Sequence, residues 1–290
     1  MNVLLAYDAS DCSQVALADA ARAGLPAGTT IHLVSVTEWF PLPTPEADLV
    51  TIPTGIPVTT PVRFSQVGED AGSLAKEGAE RLRGLRPDLT IETVALSGSP
   101  AQQIVTYADQ IDADLVIVGS HGRSAIGRLL LGSISQQVLH GATSSVRIAR
   151  GSADRSGSIS LLIAVDGSNY TPRIVDAVVA RDWPEGTTAT VVTSADYSYD
   201  RSEQTAGIAR TTALHAQIVE RLEAANIRAT SRIDTEEVSP TRTLLAVAEQ
   251  EQAETIFLGA RGLTGFERFM LGSISSAVAM QADCSVEVVR

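Results

Sequence analysis

Glycine and serine residues recur at one fixed spacing in two places along the chain. In both, a glycine is followed after two residues by a second glycine, and after nine more by a Gly-Ser pair; the copies are Gly119-x2-Gly122-x9-Gly132-Ser133 and Gly259-x2-Gly262-x9-Gly272-Ser273. Each copy follows an apolar run that favours a strand and precedes a run that favours a helix. Glycine lets backbone amides approach an anion, and a helix N-terminus favours negative charge. The pattern therefore predicts two phosphate-binding loops.

An aspartate and a serine follow the first predicted strand of each copy, as Asp8-Ala9-Ser10 and Asp166-Gly167-Ser168. Ligands of open parallel sheets bind beyond the carboxyl ends of the strands, so these residues and the glycines are predicted to share one edge. An Asp-x-Ser before a helix is also a common N-cap, so ligand contact and capping both remain open. The predicted nucleotide site also takes in the neighbours of the glycines, which are Ser120, Arg123, Ile134, Ser135, Ile274 and Ser275.

The chain is an internal duplication. The run LLLGSIS at 129–135 recurs as FMLGSIS at 269–275, and both copies close on an arginine, in SVRIAR at 145–150 and SVEVVR at 285–290. A chain of 290 residues has the length of about two domains. The segment GSADRSGS at 151–158 has linker composition. We therefore expect two domains, residues 1–150 and 157–290, with the boundary near Ser156.

Strand-like and helix-like runs alternate through both repeats. The strands of the first repeat are predicted at 3–7, 31–36, 90–96, 115–118 and 146–149, and its helices at 13–23, 67–85, 101–110 and 134–140. Those of the second are predicted at 160–165, 189–194, 229–233, 255–258 and 286–289, with helices at 172–180, 205–225, 241–251 and from 274. Parallel strands need helical crossovers, so each repeat is predicted to be a doubly wound, Rossmann-like α/β domain with five parallel strands and helices on both faces.

The first repeat carries a proline-rich insertion. The offset between equivalent residues is 158 at Asp8 and 140 at Gly119, a difference of 18 residues. The extra residues fall in the segment 40–62, whose prolines exclude a helix and favour an extended surface loop; they are Pro41, Pro43, Pro45, Pro53, Pro57 and Pro61. A functional lid, a partner contact and a tolerated insertion all remain open.

Composition limits the partners and the compartment. The formal net charge of −12 argues against nucleic acid and against an anionic membrane, because both attract basic surfaces. Cys12 and Cys284 do not occupy equivalent positions, which indicates neither a disulfide framework nor a metal cluster and favours the reducing cytoplasm. The N-terminal run MNVLLAYDAS is too short to span a membrane and is expected to be a buried strand.

These residues and their spacing resemble the universal stress protein family in its tandem two-domain form, and the likeness covers nearly the whole chain. The family's adenine nucleotide alpha hydrolase-like fold agrees with the predicted element order. The resemblance implies ATP as the ligand, with Asp8 and Asp166 near the ribose and Mg²⁺ at Asp8. It implies that Val36 and Ser194 offer backbone groups to adenine, and that Ser133 and Ser273 lie with the glycines around the phosphates.

The same resemblance implies a role in stress responses and pairing through the last strands, either between the two repeats or in a homodimer. The two repeats differ at the predicted site. Where the first has His121, Arg123 and Gly98-x-Pro100, the second has Arg261, Leu263 and Val238-x-Pro240. Because the second repeat lacks that glycine, we expect less room beside its pocket.

Three classes of function fit a nucleotide-binding chain of this kind. A regulatory ATP-binding protein agrees with all of the motifs. A slow ATPase or nucleotidyl-transfer enzyme is the alternative, but Lys76 is the only lysine in the sequence, and only Arg123, Arg128 and Arg268 could neutralise phosphate charge near the loops. A flavin or nicotinamide protein is disfavoured because no G-x-G-x-x-G follows the first strand. Neither His121 nor Arg261 is assigned a catalytic role.

Overall fold

A computed structural model describes residues 1–41, 64–66, 70–121, 131–153, 156–194, 201–235, 239–261 and 271–290. Most of the predicted proline-rich loop lies outside these residues. Several residues named in the two predicted phosphate-binding loops also lie outside them, among them Gly122, Arg123, Arg128 and Gly262. Arg268 and Leu263 of the second loop, and Val238, also fall outside them.

The predicted alternation of strands and helices is confirmed in both repeats. The first repeat consists of β1 (Asn2–Ala6), α1 (Asp11–Arg22), β2 (Thr30–Thr37), β3 (Trp39–Pro41), β4 (Phe64–Gln66), α2 (Ala71–Leu85), β5 (Thr90–Ser97), α3 (Pro100–Gln110), β6 (Leu115–Gly119), α4 (Ser133–Gly141) and β7 (Ser145–Ala149). The second consists of β8 (Ser160–Ala164), α5 (Tyr170–Val179), β9 (Thr188–Ser194), α6 (Arg201–Ala224), β10 (Arg228–Asp234), α7 (Pro240–Gln250), β11 (Thr255–Gly259), α8 (Ser273–Gln281) and β12 (Ser285–Val289).

Two short strands at the base of the proline-rich segment are an addition to the predicted order. β3 and β4 pair antiparallel, with Trp39 opposite Gln66. The two ends of the proline-rich segment therefore lie side by side. Pro41, at the start of the segment, is extended and lies in a paired strand. The extended loop predicted for the following residues lies outside the described part of the chain.

The sheet order brings the two repeats into one ten-stranded sheet, β10-β9-β8-β11-β12-β7-β6-β1-β2-β5. In this ten-stranded sheet, all neighbouring strands of the same repeat are parallel. The chain moves outward from β1 through β2 to β5, then returns to the other side of β1 with β6 and β7. The order thus reverses between β1 and β6, and likewise between β8 and β11. These reversals are the points where open α/β sheets leave a crevice for ligands.

Successive strand residues point to opposite faces of the sheet, and the two faces have different cores. On one face a single apolar cluster runs through both repeats; it includes Leu4, Val116, Val138, Val278 and Val286 and lies under α3, α4, α7 and α8. On the other face each repeat has its own cluster, under α1 and α2 in the first and under α5 and α6 in the second. The repeats therefore share one hydrophobic layer and keep two others separate.

Candidate functional site

The candidate site of the first repeat lies at the sheet reversal between β1 and β6. Leu5 of β1 pairs with Ile117 of β6, so the two strands end side by side. The chain leaves β6 at Gly119, and α4 begins close by, because the Gly132 amide donates to the Ser120 carbonyl at 2.7 Å. The second repeat has the same arrangement, with the Gly272 amide 2.7 Å from the Ala260 carbonyl. The fold thus brings the Asp-x-Ser turn and the Gly-Ser helix start of each repeat to one edge.

Both helices begin without a side-chain cap. Gly132 and Gly272 occupy the N-cap positions of α4 and α8, and neither helix has a side-chain cap hydrogen bond. The first N–H groups of a helix have no acceptor within it, and the helix dipole adds partial positive charge there. Ser133 and Ser273, the first residues of the two helices, are exposed. The helix starts therefore offer amides and a hydroxyl to an anion from solvent.

The hydroxyls two residues further on have a different role. Ser135 donates to the Gly119 carbonyl and Ser275 to the Gly259 carbonyl, both at 2.6 Å, and both side chains are buried. These bonds fix each helix to the end of the preceding strand. Since both hydroxyls already donate to a carbonyl, any phosphate contact by Ser135 or Ser275 would involve the backbone amide, and that contact stays a prediction. Ile134 packs against the shared core, whereas Ile274 is 40% exposed.

The strand-end glycines are required by packing. A Cβ on Gly119 would lie 2.6 Å from the Cys12 carbonyl oxygen, and one on Gly259 would lie 2.6 Å from the Cβ of Tyr170. Cys12 and Tyr170 are equivalent positions at the starts of α1 and α5. This contact was not foreseen from the sequence, because the partners lie far apart along the chain. A direct phosphate role for the two glycines stays a prediction beside this packing role.

The Asp-x-Ser turn caps the first helix of the first repeat. Ser10 is the N-cap of α1, and its hydroxyl accepts from the Ser13 amide at 3.2 Å. The same hydroxyl donates to Asp8 Oδ1 at 2.5 Å, and the Ser10 amide donates to that oxygen at 3.0 Å. Ala9 between them has a φ of 59°, a left-handed conformation that costs a non-glycine residue energy. The N-cap alternative therefore holds for Ser10.

The corresponding turn of the second repeat is built differently. The Ser168 amide donates to Asp166 Oδ1 at 2.9 Å, but the N-cap of α5 is Asn169. Gly167 takes the left-handed position, with a φ of 75°. Both aspartates thus hold a turn at the carboxyl edge, and their contact with a ribose or metal stays a prediction. No group of three or more His, Cys, Asp and Glu side chains that could hold a metal ion occurs in the part of the chain that the structure describes.

His121 lies beside the first candidate site. Its Nδ1 is 3.2 Å from the Ser120 hydroxyl, and its buried Nε2 has no hydrogen-bond partner among the described residues. Burial, with a further contribution from Arg150, lowers the pKa of His121. The ring is therefore neutral at neutral pH and retains one unmet polar atom. The equivalent position of the second repeat is Arg261.

The residues predicted to contact adenine lie at the ends of the second strands. Val36 is the penultimate residue of β2 and pairs with Leu96, while Ser194 ends β9 and pairs with Asp234. Both are partly exposed. β2 is the parallel neighbour of β1, and β9 is the parallel neighbour of β8. Val36 and Ser194 therefore lie at the same edge of the sheet as the aspartates. The predicted site residues within the described parts of the chain are thus assembled along one edge of the sheet.

A doubly wound fold with this edge defines a Rossmann-like protein built as a tandem repeat. The sequence model of the universal stress protein family matches residues 1–150 and 160–290, so the chain belongs to that family. A universal stress protein of Mycolicibacterium smegmatis is 28% identical over 221 residues, covering 70% of this chain and 69% of the relative. Universal stress protein Rv2005c of Mycobacterium tuberculosis is 34% identical over 156 residues; the alignment covers 51% of this chain and 45% of that relative, slightly less than half its length.

Solved structures show the same fold over the whole chain. A universal stress protein from Archaeoglobus fulgidus aligns with a TM-score of 0.58 at 21% identity, covering 100% of this chain and 96% of that one. A universal stress protein structure from Pseudomonas aeruginosa aligns with a TM-score of 0.64 at 11% identity, covering 99% and 92%. At these identities the likeness establishes the architecture. None of the described helices is both long and apolar enough to cross a membrane.

Proposed function

We propose that the chain is an ATP-binding regulatory protein of the stress response, with one nucleotide pocket in each repeat and with nucleotide occupancy as its signal. The observation that carries the proposal is the uncapped start of α4 and α8 at the sheet reversals. The helix dipole contributes roughly 0.3–1 kcal/mol to anion binding at each helix start, so the other contacts of the nucleotide must supply most of a micromolar affinity, about 8 kcal/mol. Membership of the universal stress protein family supports the same conclusion.

The proposal assigns the rest of the site to adenosine. Asp8 and Asp166 would contact the ribose, and Asp8 would also hold Mg²⁺. The backbone of Val36 and Ser194 would contact adenine. A carboxylate and a phosphate oxygen are ligands that Mg²⁺ prefers, which fits a single aspartate at this position. The protein's own residues would then bind and orient the nucleotide, and Mg²⁺ would neutralise phosphate charge.

The first experiment identifies the nucleotide and counts it. Purified protein is denatured and any released small molecule is identified by mass; calorimetric titration with ATP then gives the number bound per chain. We expect an adenine nucleotide and up to two sites per chain. Release of a flavin or nicotinamide, or an absence of binding at millimolar ATP, would reject the proposal.

A charge substitution at the helix start tests the site itself. Ser133→Asp places a carboxylate where the phosphate would bind, yet it favours α4 through the helix dipole. We expect ATP binding in the first repeat to be lost while the free energy of unfolding is unchanged or higher. Gln137→Asp is the matched control, since it adds the same charge at an exposed position further along α4. Equal binding by both variants would contradict the site.

Slow ATP hydrolysis or nucleotidyl transfer is the alternative function. The feature that favours it is the neutral His121 with its unmet Nε2 beside the first candidate site. A steady-state phosphate-release assay separates the two functions. Turnover above roughly 1 s⁻¹, the low end for ordinary enzymes, would favour the enzyme.

A further inference from the structure

The last strands of the two repeats meet at a seam that contains buried charge. β7 and β12 pair antiparallel, and Arg147 lies directly opposite Glu287. The two are equivalent positions of the duplication and are only 2% and 1% exposed. Arg147 Nη1 lies 3.1 Å from Glu287 Oε2. Equivalent positions of the two repeats thus carry opposite charges and bind each other.

Each of these residues also has a partner within its own repeat. The Arg147 guanidinium donates to both carboxylate oxygens of Asp19 in α1, and Arg181, which follows α5, donates to both oxygens of Glu287. Burial alone would lower the pKa of Arg147, but Asp19 and Glu287 raise it overall, so this arginine stays charged. The four residues form a line of alternating charge, Asp19-Arg147-Glu287-Arg181, which we call the seam quartet.

The duplication does not repeat the quartet. The positions equivalent to Asp19 and Arg181 are Ala177 and Ala23, so neither repeat has the partner that the other uses. Arg181 also crosses the seam and donates to the Ala23 carbonyl at 3.1 Å. Position 23, which in the first repeat is equivalent to Arg181, is thus a small alanine whose carbonyl accepts from that arginine. The quartet is therefore complementary between the repeats.

Two further contacts across the seam are the same in both directions, whereas Arg22–Glu254, Ser285–Asp19 and Arg147–Thr255 occur in one direction only. The Arg150 amide donates to the Ser285 hydroxyl at 3.0 Å, and the Arg290 amide donates to the Ser145 hydroxyl at 3.2 Å. Since both repeats carry a serine and an arginine at these positions, the bonds could form equally well between two copies of one repeat. These contacts stabilise the strand pair but cannot select the partner.

We propose that the seam quartet makes the pairing selective, so that the last-strand edge of each repeat accepts the other repeat in preference to a second copy of itself. Two first repeats would place Arg147 opposite Arg147, and two second repeats would place Glu287 opposite Glu287. Like charges directly opposite in a sheet are destabilising, and exclusion of water strengthens the repulsion. Asp19 already neutralises Arg147, and Arg181 already neutralises Glu287. The preference for the mixed pair therefore comes from which charges lie directly opposite each other in the strand pair.

The test starts from the full-length folded protein with a protease site inserted at residues 153–156. After cleavage, the halves are separated in urea and refolded together at micromolar concentration; native mass spectrometry then counts the three pairs, because the two halves differ in mass. We expect the mixed pair to exceed each same-repeat pair by at least about tenfold. Same-repeat pairs in comparable amounts, or halves that stay unpaired, would overturn the proposal. The result does not depend on nucleotide binding.

A neutral quartet provides the contrasting variant. The fourfold change D19N, R147M, R181M and E287M removes the charges, and apolar replacement of buried ion clusters commonly preserves a fold. We expect the mixed pair to fall to roughly half of all pairs, the statistical share. A neutral variant that keeps the wild-type excess would show that the quartet does not select the partner.

Charge reversal keeps the proposal testable should the neutral variant fail to fold. Glu287→Arg places two arginines opposite each other and is expected to reduce the mixed pair at least about tenfold. Combining R147E/E287R with D19N and R181M restores opposite charges across the strands without placing like charges together inside either repeat, and it is expected to recover part of the loss. No recovery would count against selection. Arg228→Met, at an exposed position of β10, is the control and should leave the pairing unchanged.

Discussion

Arg150, the last residue of the first repeat's closing motif, donates to the Ala279 carbonyl of α8 in the other repeat at 2.6 Å. Arg290 makes the reciprocal contact with the Leu139 carbonyl of α4. Both carbonyls lie in the last turn of their helix, where backbone acceptors have no intrahelical partner and a cation is favoured. Each candidate phosphate helix therefore begins at its own repeat's site and ends on an arginine of the other repeat.

Removing either arginine should destabilise the protein. Burial, with repulsion from Arg261, lowers the pKa of Arg290 to about 10, so this side chain is charged at neutral pH. For Arg150→Met and Arg290→Met we expect a loss of about 1.5–3 kcal/mol in the free energy of unfolding, the range for hydrogen bonds to charged groups. Urea denaturation measures it. Arg228→Met, exposed on β10, should change the free energy of unfolding by less than about 0.5 kcal/mol. An equal loss in this control would show that the contacts of Arg150 and Arg290 do not account for the destabilisation.

Gly119→Ala should destabilise the first repeat whether or not nucleotide is present. The new Cβ would lie 2.6 Å from the Cys12 carbonyl oxygen, so α1 or β6 must shift. We expect a loss of about 1–3 kcal/mol, the usual cost of overpacking. Gly84→Ala is the matched change in α2, where a Cβ would meet nothing within 4 Å. It should stabilise by about 0.5–1 kcal/mol, because alanine favours a helix. A neutral Gly119→Ala would show that packing does not require this glycine.

Stability should fall on acidification because of His215. Thr193 Oγ1 donates to the Val165 carbonyl at 2.7 Å and lies 2.8 Å from His215 Nε2, so Nε2 carries the proton and donates to Thr193. Nδ1 is buried without a partner among the described residues, and burial lowers the pKa of His215. The unfolded state therefore binds a proton at a higher pH than the folded state, and stability decreases as the pH falls below about 6.5.

Urea midpoints at pH 7.5 and 5.5 measure this effect. His215→Gln should lower stability at pH 7.5 but reduce the dependence on pH, since the substituted side chain does not titrate. His140→Gln removes an exposed histidine and should leave the dependence as in the wild type. An unchanged pH dependence in His215→Gln would assign the effect to other groups.

Asp8→Asn tests the metal assignment. Asp8 Oδ1 accepts from the amide and the hydroxyl of Ser10, and an asparagine oxygen can still accept both bonds. The turn should therefore persist while the carboxylate charge is lost. We expect ATP affinity measured by calorimetry to fall by at least about tenfold with Mg²⁺ and much less in EDTA. Equal losses in both conditions would leave Asp8 as a ribose contact or as a support for the cap.

The element order was predictable because apolar strand runs and helix patterns alternate locally. The two Gly-Ser helix starts were also predictable, since α4 and α8 begin at Ser133 and Ser273. The packing of Gly119 on Cys12 was not, because 107 residues separate them. The seam quartet was equally hidden. Arg147 and Glu287 lie within otherwise apolar strand runs. Their ion pairs could not be predicted, because the partners are distant in the sequence and meet only in the folded chain.

The hydrophobic layer beneath α3, α4, α7 and α8 crosses the boundary between the repeats without interruption. Because this layer contains residues of both repeats, we expect the two repeats to unfold cooperatively. Calorimetry should then record one heat-absorption peak. The opposite face has separate layers under α1 with α2 and under α5 with α6. There the halves are joined through the seam quartet and not through a shared apolar layer, so amide hydrogens of α2 and α6 should exchange with deuterium sooner than those of α4 and α8.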